Sequence, residues 1–142
     1  MGQEVIDTVK SYIDKLIRAG HPIKSAVLFG SRARGDWLVT SDVDILVIIP
    51  NTQQSFIERV VEFSRFWDGP WALDVFPYTI DEVWRLLNRG SVALYDALDY
   101  GLVIHDDGTL QRLRELFRDA VNRGVIRRVN GWWTIPTEPI YP

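Results

Sequence analysis

An unbroken run of five apolar residues, Ile45 to Ile49, is the feature that most constrains the fold of this chain. A strand with one face in water alternates apolar and polar residues, whereas a strand that is apolar on both sides must be covered on both faces. A second apolar stretch, residues 25–29, ends abruptly at a Gly-Ser step. Together they predict buried strands in a sheet that helices flank.

The spacing of apolar residues predicts the remaining elements. Ser55 and Thr79 are each followed three residues later by glutamate, the pattern of a capping box at the start of a helix. Asn130-Gly131 between two apolar stretches indicates a β-hairpin with a two-residue turn. The predicted helices cover residues 3–19, 56–67, 80–89, 92–99 and 110–121, and the predicted strands cover 25–29, 42–49, 71–76 and 102–105.

This order of elements predicts one α/β (α+β) domain with a mixed β-sheet flanked by helices. A length of 142 residues suits a single domain with a core of ordinary size. We expect residues 1–107 to form the core of the domain. Residues 108–142 should extend the same domain with a C-terminal helix and the hairpin.

Composition excludes several classes of site. There is no cysteine, so disulfides, thiolate catalysis and cysteine-bound zinc are ruled out. A net charge of −3 makes unaided binding to a long nucleic acid unlikely, since such binding depends on neutralising phosphates with a basic surface. No segment has the pattern of a signal peptide or the length to span a bilayer. We therefore expect a soluble protein of the cytoplasm.

Two aspartates at the start of the buried strand give the first indication of a functional site. Asp42 and Asp44 are two residues apart, so in a strand they point to the same side, about 6.6 Å apart at their roots. Two such carboxylates can bind a pair of Mg²⁺ ions set about 3.5–4 Å apart, the arrangement used for in-line phosphoryl displacement. Magnesium suits the pair because it prefers hard oxygen ligands.

A third carboxylate is expected from a neighbouring strand, and Asp74 fits because it lies within the apolar segment 71–76. An isolated carboxylate buried there would be costly, and a metal ion would relieve the cost. Asp68 and Asp81 are weaker candidates. The first belongs to a turn, and the second sits in the first turn of a helix, where the helix dipole favours it.

The Gly-Ser step after the first buried strand carries the second signal. Gly30 lets the backbone bend and approach a ligand closely. If residues 31–35 form a helical turn, its N–H groups and the hydroxyl of Ser31 can bind phosphate. Arg32 and Arg34 add positive charge nearby. A solvated or paired role is the alternative for both arginines, and Arg34 is the better candidate for the nucleotide.

The two signals together resemble a known signature. The segment GSRARG (residues 30–35), five residues, and SDVD (residues 41–44) are similar to the motif of the minimal nucleotidyltransferase (MNT) family, within the DNA polymerase beta-like nucleotidyltransferase superfamily. The resemblance covers the chain from the first strand to about residue 105. It implies that Gly30 and Ser31 contact phosphate and that Asp42 and Asp44 bind metal. It also implies that Asp74 is a third metal ligand that helps to deprotonate an acceptor hydroxyl.

The resemblance further implies an ATP-using, magnesium-dependent enzyme that transfers a nucleoside monophosphate, AMP in the first instance, to a hydroxyl and releases pyrophosphate. Small members of the family are often paired with a HEPN-type toxin, a helical ribonuclease, which they modify or neutralise as its antitoxin. The alternative function is a nucleotide-binding antitoxin that does little catalysis. An RNA-directed transferase is a third function, and a homo-oligomer is left open.

Three further features have competing interpretations. The cluster at residues 105–107, His-Asp-Asp, is better explained as a solvated loop than as a metal or acid–base site. His21 is interpreted as part of a linker. Trp132 and Trp133 could stack on bases, but packing against the core or an interface with a partner is favoured.

Overall fold

The computed structural model describes residues 2–38 and 40–141. Within these ranges the chain forms six helices, a four-stranded mixed sheet and a short hairpin. The elements are α1 (Gly2–Arg18), β1 (Ser25–Phe29), α2 (Ser31–Arg34), β2 (Val43–Ile49), α3 (Phe56–Ser64), β3 (Leu73–Thr79), α4 (Ile80–Arg89), α5 (Val92–Tyr100), β4 (Leu102–Asp106), α6 (Thr109–Asn122), β5 (Arg128–Val129) and β6 (Trp132–Trp133). The predicted fold class is confirmed.

The sheet has the strand order β3-β2-β1-β4. β2 runs parallel to β3, and β1 is antiparallel to both of its neighbours. Alternate residues of β2 point to opposite faces of the sheet. Leu46 and Ile48 pack with α4, α5 and α6, whereas Ile45 and Val47 pack with α1 and α3. The unbroken apolar run is therefore explained, because helices cover both faces of this strand.

Both predicted capping boxes are formed. The Ser55 hydroxyl accepts from the Glu58 N–H, and the Glu58 side chain accepts from the Ser55 N–H. Thr79 and Glu82 exchange the same two hydrogen bonds at the start of α4. The corresponding starts of α3 and α4 therefore follow from the local sequence alone.

The predicted bounds of β3 and α3 were wrong. β3 covers residues 73–79 rather than 71–76, because it pairs residue for residue with β2 from Val43 opposite Leu73 to Ile49 opposite Thr79. β3 tolerates Pro77 because it is an edge strand. α3 ends at Ser64, three residues before the predicted end.

A buried arginine ties α3 to the end of β3 and to α4. Arg59 is 3 % exposed, and its Nη1 and Nη2 donate to Glu82 Oε1 at 2.8 Å and Oε2 at 3.0 Å. Nη1 also donates to the Pro77 carbonyl, and Nε donates to the Gln54 and Ser55 carbonyls. These bonds to Arg59 hold the pKa of the Glu82 carboxyl below its usual range. Each of the three guanidinium nitrogens thus has at least one acceptor, as a buried charge requires.

The C-terminal segment completes the core on the face covered by α4 and α5. Leu113 and Phe117 of α6 belong to the same apolar cluster as Leu46. The hairpin forms as predicted, and its turn has positive φ at Asn130 (52°) and Gly131 (82°), as a type I′ turn requires. No helix within the described ranges is long and apolar enough to cross a membrane.

The two hairpin tryptophans differ. Trp133 packs edge-on against Tyr95 and Phe117, with ring centroids 5.8 and 5.4 Å away, and its Nε1 donates to Asp96 at 2.9 Å. The predicted packing is confirmed for this residue. Trp132 is 73 % exposed, so it does not pack against the core, and an interface with a partner stays the prediction for it.

The solvated loop predicted at residues 105–107 was also wrong for its first two members, which end β4. The Asp106 carboxylate accepts from the Ser25 hydroxyl and from the N–H groups of Leu110 and Gln111 at the start of α6. These hydrogen bonds hold the pKa of Asp106 below its usual range, although burial alone would raise it. The carboxylate therefore caps a helix. His21, interpreted as linker, packs edge-on against Phe63.

Candidate active site

The sheet topology brings the three candidate aspartates to one end of the sheet. Because β1 and β2 are antiparallel, the end of β1 lies beside the start of β2, with Phe29 opposite Asp44. Because β2 and β3 are parallel, their starts coincide, and Asp74 is the direct partner of Asp44. Asp42 lies immediately before β2. The Gly-Ser step and all three acids therefore meet at this end.

The charges of the three carboxylates act on one another. Asp44 is half-buried, and burial together with the charges of Asp74 and Asp42 raises its pKa to about 6. The pKa of Asp74 is raised as well, by partial desolvation and then by Asp42. The side chain of Asp74 is exposed, so the expectation of a fully buried carboxylate was wrong. It lies near the start of β3, a strand at the edge of the sheet.

Gly30 is required where it stands for two reasons. Its φ of 73° lies in the left-handed region that side chains other than glycine rarely adopt. A Cβ added here would lie 2.0 Å from Asp44 Oδ2 and 2.9 Å from its Cγ. The space left by the missing side chain of Gly30 is thus occupied by the Asp44 carboxylate, at the centre of the acidic cluster.

The helical turn expected after the glycine is present as α2. The N–H groups of Ala33 and Arg34 both donate to the Gly30 carbonyl at 3.1 Å. Gly35 ends the turn in a left-handed conformation, and its N–H donates to the Ser31 carbonyl. The beginning of the turn lies beside the acidic cluster, because Gly30 closely approaches Asp44.

Arg34 borders the acidic cluster. Its Nη1 donates to the Tyr100 hydroxyl at 2.7 Å, its Nε donates to Asp36 at 3.2 Å, and its guanidinium lies 5.3 Å from the centre of the Tyr100 ring. The charge of Arg34 opposes the rise in the pKa of Asp44. This arginine is therefore placed where it can act on a phosphate group that approaches the acids.

Arg32, two residues earlier, has different surroundings. It is 6 % exposed, and its Nε and Nη2 donate to the Ser41 carbonyl at 3.3 and 3.0 Å. Its guanidinium lies 4.4 Å from the centre of the Trp37 ring and 5.5 Å from that of Trp71. Of the two interpretations of this arginine, these contacts favour the paired one, because its Nε and Nη2 donate to the protein. Ser41 also accepts from the Leu38 N–H, as expected for a turn before a strand.

The sequence reasoning missed Tyr100, Trp37 and Trp71. Tyr100 ends α5 and lies 66 residues from the arginine that it contacts. The two tryptophans precede strands, where a large aromatic residue is more simply explained by packing. Nothing in the local sequence signals these contacts, because each depends on how distant segments are assembled.

The donor set fits a divalent cation. Three carboxylates supply the hard oxygen ligands that Mg²⁺ prefers. Burial and the charges of neighbouring acids raise the pKa values of Asp44 and Asp74, and the charge of Arg34 only partly offsets this rise at Asp44. In residues 2–38 and 40–141, no three acidic or histidine side chains converge closely enough to ligate one ion in the present arrangement. Carboxylates that repel one another are expected to stand apart without a cation between them.

Comparison with known families decides the class of this site. The sequence matches the model of the nucleotidyltransferase domain over residues 8–94, more than half of the chain. The chain belongs to the nucleotidyltransferase domain family. The resemblance to the MNT and polymerase beta-like superfamily is thereby confirmed, and the enzyme class is that of a nucleotidyltransferase. The matched region contains the Gly-Ser turn and all three acids.

Solved structures share the fold of this nucleotidyltransferase. A candidate nucleotidyltransferase from Sulfolobus solfataricus is 22 % identical with a TM-score of 0.54, over 75 % of this chain and 84 % of that one. A toxin–antitoxin structure with AMP-PNP is 19 % identical with a TM-score of 0.55, over 80 % and 87 %. A mutant of the toxin–antitoxin MntA–HpeT, with two aspartates changed to glutamate, is 16 % identical with a TM-score of 0.53, over the same shares. A search of curated proteins gives no significant match.

Proposed function

We propose that this nucleotidyltransferase transfers AMP from ATP to a hydroxyl group in a magnesium-dependent reaction that releases pyrophosphate. One observation carries the proposal. Asp44 and Asp74 are direct partners on two parallel strands beside the Gly-Ser turn, and Asp42 lies two residues before Asp44. Burial, together with the charges of the other two acids, raises the pKa of Asp44 to about 6. Strongly perturbed carboxylates gathered at one place are typical of functional sites, because such a cluster costs stability.

The phosphates of the nucleotide would be bound on the side of β1 and α2. In this proposal the hydroxyl of Ser31, the residue after the Gly30 bend, donates to phosphate, and Arg34 supplies a positive charge that Tyr100 and Asp36 hold in place. In this assignment Gly30, Ser31 and Arg34 bind the β- and γ-phosphates. The α-phosphate then lies toward the aspartates.

Asp42, Asp44 and Asp74 would hold the magnesium ions. Bound magnesium would neutralise charge on the α-phosphate and on the leaving oxygen. We assign Asp74, which is exposed as Asp42 is, to take the proton of the acceptor hydroxyl. The acceptor oxygen then forms a bond to the α-phosphorus, the bond from that phosphorus to the bridging oxygen breaks, and pyrophosphate departs with both electrons.

The acceptor that we propose is a protein toxin, of the HEPN type, with this chain as its antitoxin. Two solved structures of the same fold are toxin–antitoxin structures, and one of these contains the ATP analogue AMP-PNP. The net charge of −3 supports a protein acceptor over a long nucleic acid. Because the reaction consumes ATP, we place it in the cytoplasm. We assign the chemistry to residues 1–107, with 108–142 as the extension that completes the core.

The experiment uses ATP labelled at the α-phosphate, together with Mg²⁺ and a HEPN-type toxin encoded beside this chain. Label should appear on the toxin and should disappear with Asp42→Asn. A tight complex that carries no label, and that Asp42→Asn leaves unchanged, would instead show a nucleotide-binding antitoxin without catalysis. Label on RNA, with binding that weakens steeply as salt rises, would show an RNA-directed enzyme.

A further inference from the structure

The two arginines of the signature turn have separate environments, and that of Arg32 is built from the segments that carry the acids. Its Nε and Nη2 both donate to one oxygen, the carbonyl of Ser41, which is the residue immediately before Asp42. Its flat guanidinium lies over the rings of Trp37 and Trp71. Two segments, the loop before β2 and the residues before β3, therefore contact this one buried side chain.

The residues that precede β3 are also hydrogen-bonded to the start of β2, beside the contacts of Arg32. The Val43 N–H, just after Asp42, donates to the Ala72 carbonyl, just after Trp71, at 2.8 Å. Asp74 follows Trp71 by three residues along β3. Arg32 thus connects Ser41, the residue before Asp42, to Trp71, which precedes the strand of Asp74. The backbone hydrogen bond between the residues that follow Asp42 and Trp71 connects the same two segments directly.

Such a connection matters because the two aspartates repel each other. Asp42 lies two residues before Asp44, the direct partner of Asp74, and like charges on the starts of neighbouring strands act to separate those strands. Arginine resists that force better than lysine would. Its guanidinium presents several donors in a rigid plane and stacks on aromatic rings, whereas lysine presents a compact ammonium on a flexible stem.

We propose that Arg32 is a positioning residue that sets the separation of Asp42 and Asp74 and so determines how readily the acidic cluster takes up metal. The inference rests on the magnesium site of the proposed function. Arg32 acts through the Ser41 backbone and the Trp71 ring. Outer residues that orient ligands typically change metal affinity by 10–100-fold when they are altered.

The test measures the Mg²⁺ concentration that half-saturates the protein, by calorimetric titration in the presence of a non-hydrolysable ATP analogue, together with the melting temperature. Arg32→Lys should raise the half-saturating concentration by about tenfold. Arg59→Lys is the matched control, because Arg59 is equally buried but supports the opposite end of β3. It should lower the melting temperature and leave the half-saturating concentration within about twofold of wild type.

Trp71→Leu provides a second variant that does not remove the buried charge. It should raise the half-saturating concentration by roughly threefold, less than Arg32→Lys, because the bonds to Ser41 remain. If Arg32→Lys does not fold, an unchanged value in Trp71→Leu overturns the inference. An unchanged value in a folded Arg32→Lys overturns it directly. A wild-type protein that takes up no Mg²⁺ with the analogue contradicts the proposed function itself.

Discussion

The two ends of β3 carry charge clusters of opposite character. At its start, Asp74 stands with Asp42 and Asp44, and repulsion among them contributes to raised pKa values for Asp74 and Asp44. At its end, Arg59 and Glu82 form a two-bonded ion pair, and the pKa of the carboxyl is lowered. The seven residues of β3 thus separate two clusters: the acidic cluster at its start opposes folding, and the ion pair at its end favours folding.

The difference shows how stability and chemistry are divided within one sheet. Breaking a buried ion pair is costly because the remaining charge has no partner. A cluster of like charges is costly while it is intact, and such clusters are retained where a ligand uses them. The paired end should therefore be sensitive in measurements of stability, and the acidic end should be sensitive in measurements of activity.

The largest effect is expected when the acidic end loses one of its ligands. Asp42→Asn should lower nucleotidyl transfer about a thousandfold, because metal assistance contributes several kcal/mol and each 1.4 kcal/mol is worth a factor of ten. The measurement is the initial rate of label transfer at saturating Mg²⁺. Asp68→Asn is the control: that exposed acid pairs with Lys15, and its substitution should leave the rate unchanged. Equal rates for Asp42→Asn and wild type would refute the assigned site.

The paired end is broken by Arg59→Met. This substitution should lower the free energy of unfolding by about 3 kcal/mol, because Glu82 and the Pro77 carbonyl lose their donor. Urea denaturation of the metal-free protein measures the change. Transfer by the fraction that remains folded should stay near the wild-type rate. A loss of activity without a loss of stability would contradict the proposed division between the two ends.

Glycine substitutions separate backbone strain from contact with the acids. Gly30→Ala should lower the free energy of unfolding by roughly 2 kcal/mol and reduce transfer, because the new methyl group meets the Asp44 carboxylate in addition to the strain of a positive φ. Gly35→Ala is the control. Its φ of 89° is equally unfavourable, but nothing lies within 4 Å of the added Cβ. Urea denaturation and the transfer assay should show the larger effect at Gly30 in both measurements.

The smallest effect is a stabilisation that depends on pH. The folded pKa of Asp44, about 6, lies above its usual value of 3.8, so the folded state holds a proton that the unfolded state has lost between these values. Stability therefore falls as pH rises through this window. In metal-free protein, Asp44→Asn should melt about 3 °C higher than wild type at pH 8. The difference should vanish near pH 4, and a constant difference would show that the carboxylate charge is not its cause.

Local features of the fold could be predicted closely. The bounds of β1, the two capping boxes and the hairpin turn are all as expected, because each depends on residues only a few positions apart. Because β3 pairs with β2, it begins two residues later than predicted. Asp106 became a helix cap because the start of α6 folds back over the end of β4. Such shifts arise from contacts that no short stretch of sequence contains.

The sequence by itself determined that this chain has a strand buried on both faces, with aspartates at its mouth and a Gly-Ser bend nearby. Only the tertiary structure decided that Asp74 is the direct partner of Asp44, and that Arg34 faces the acids while Arg32 turns inward. Apolar spacing and turn chemistry depend on neighbours along the chain. Register and side-chain direction depend on segments far apart in the chain, as the contact of Arg34 with Tyr100, 66 residues away, shows.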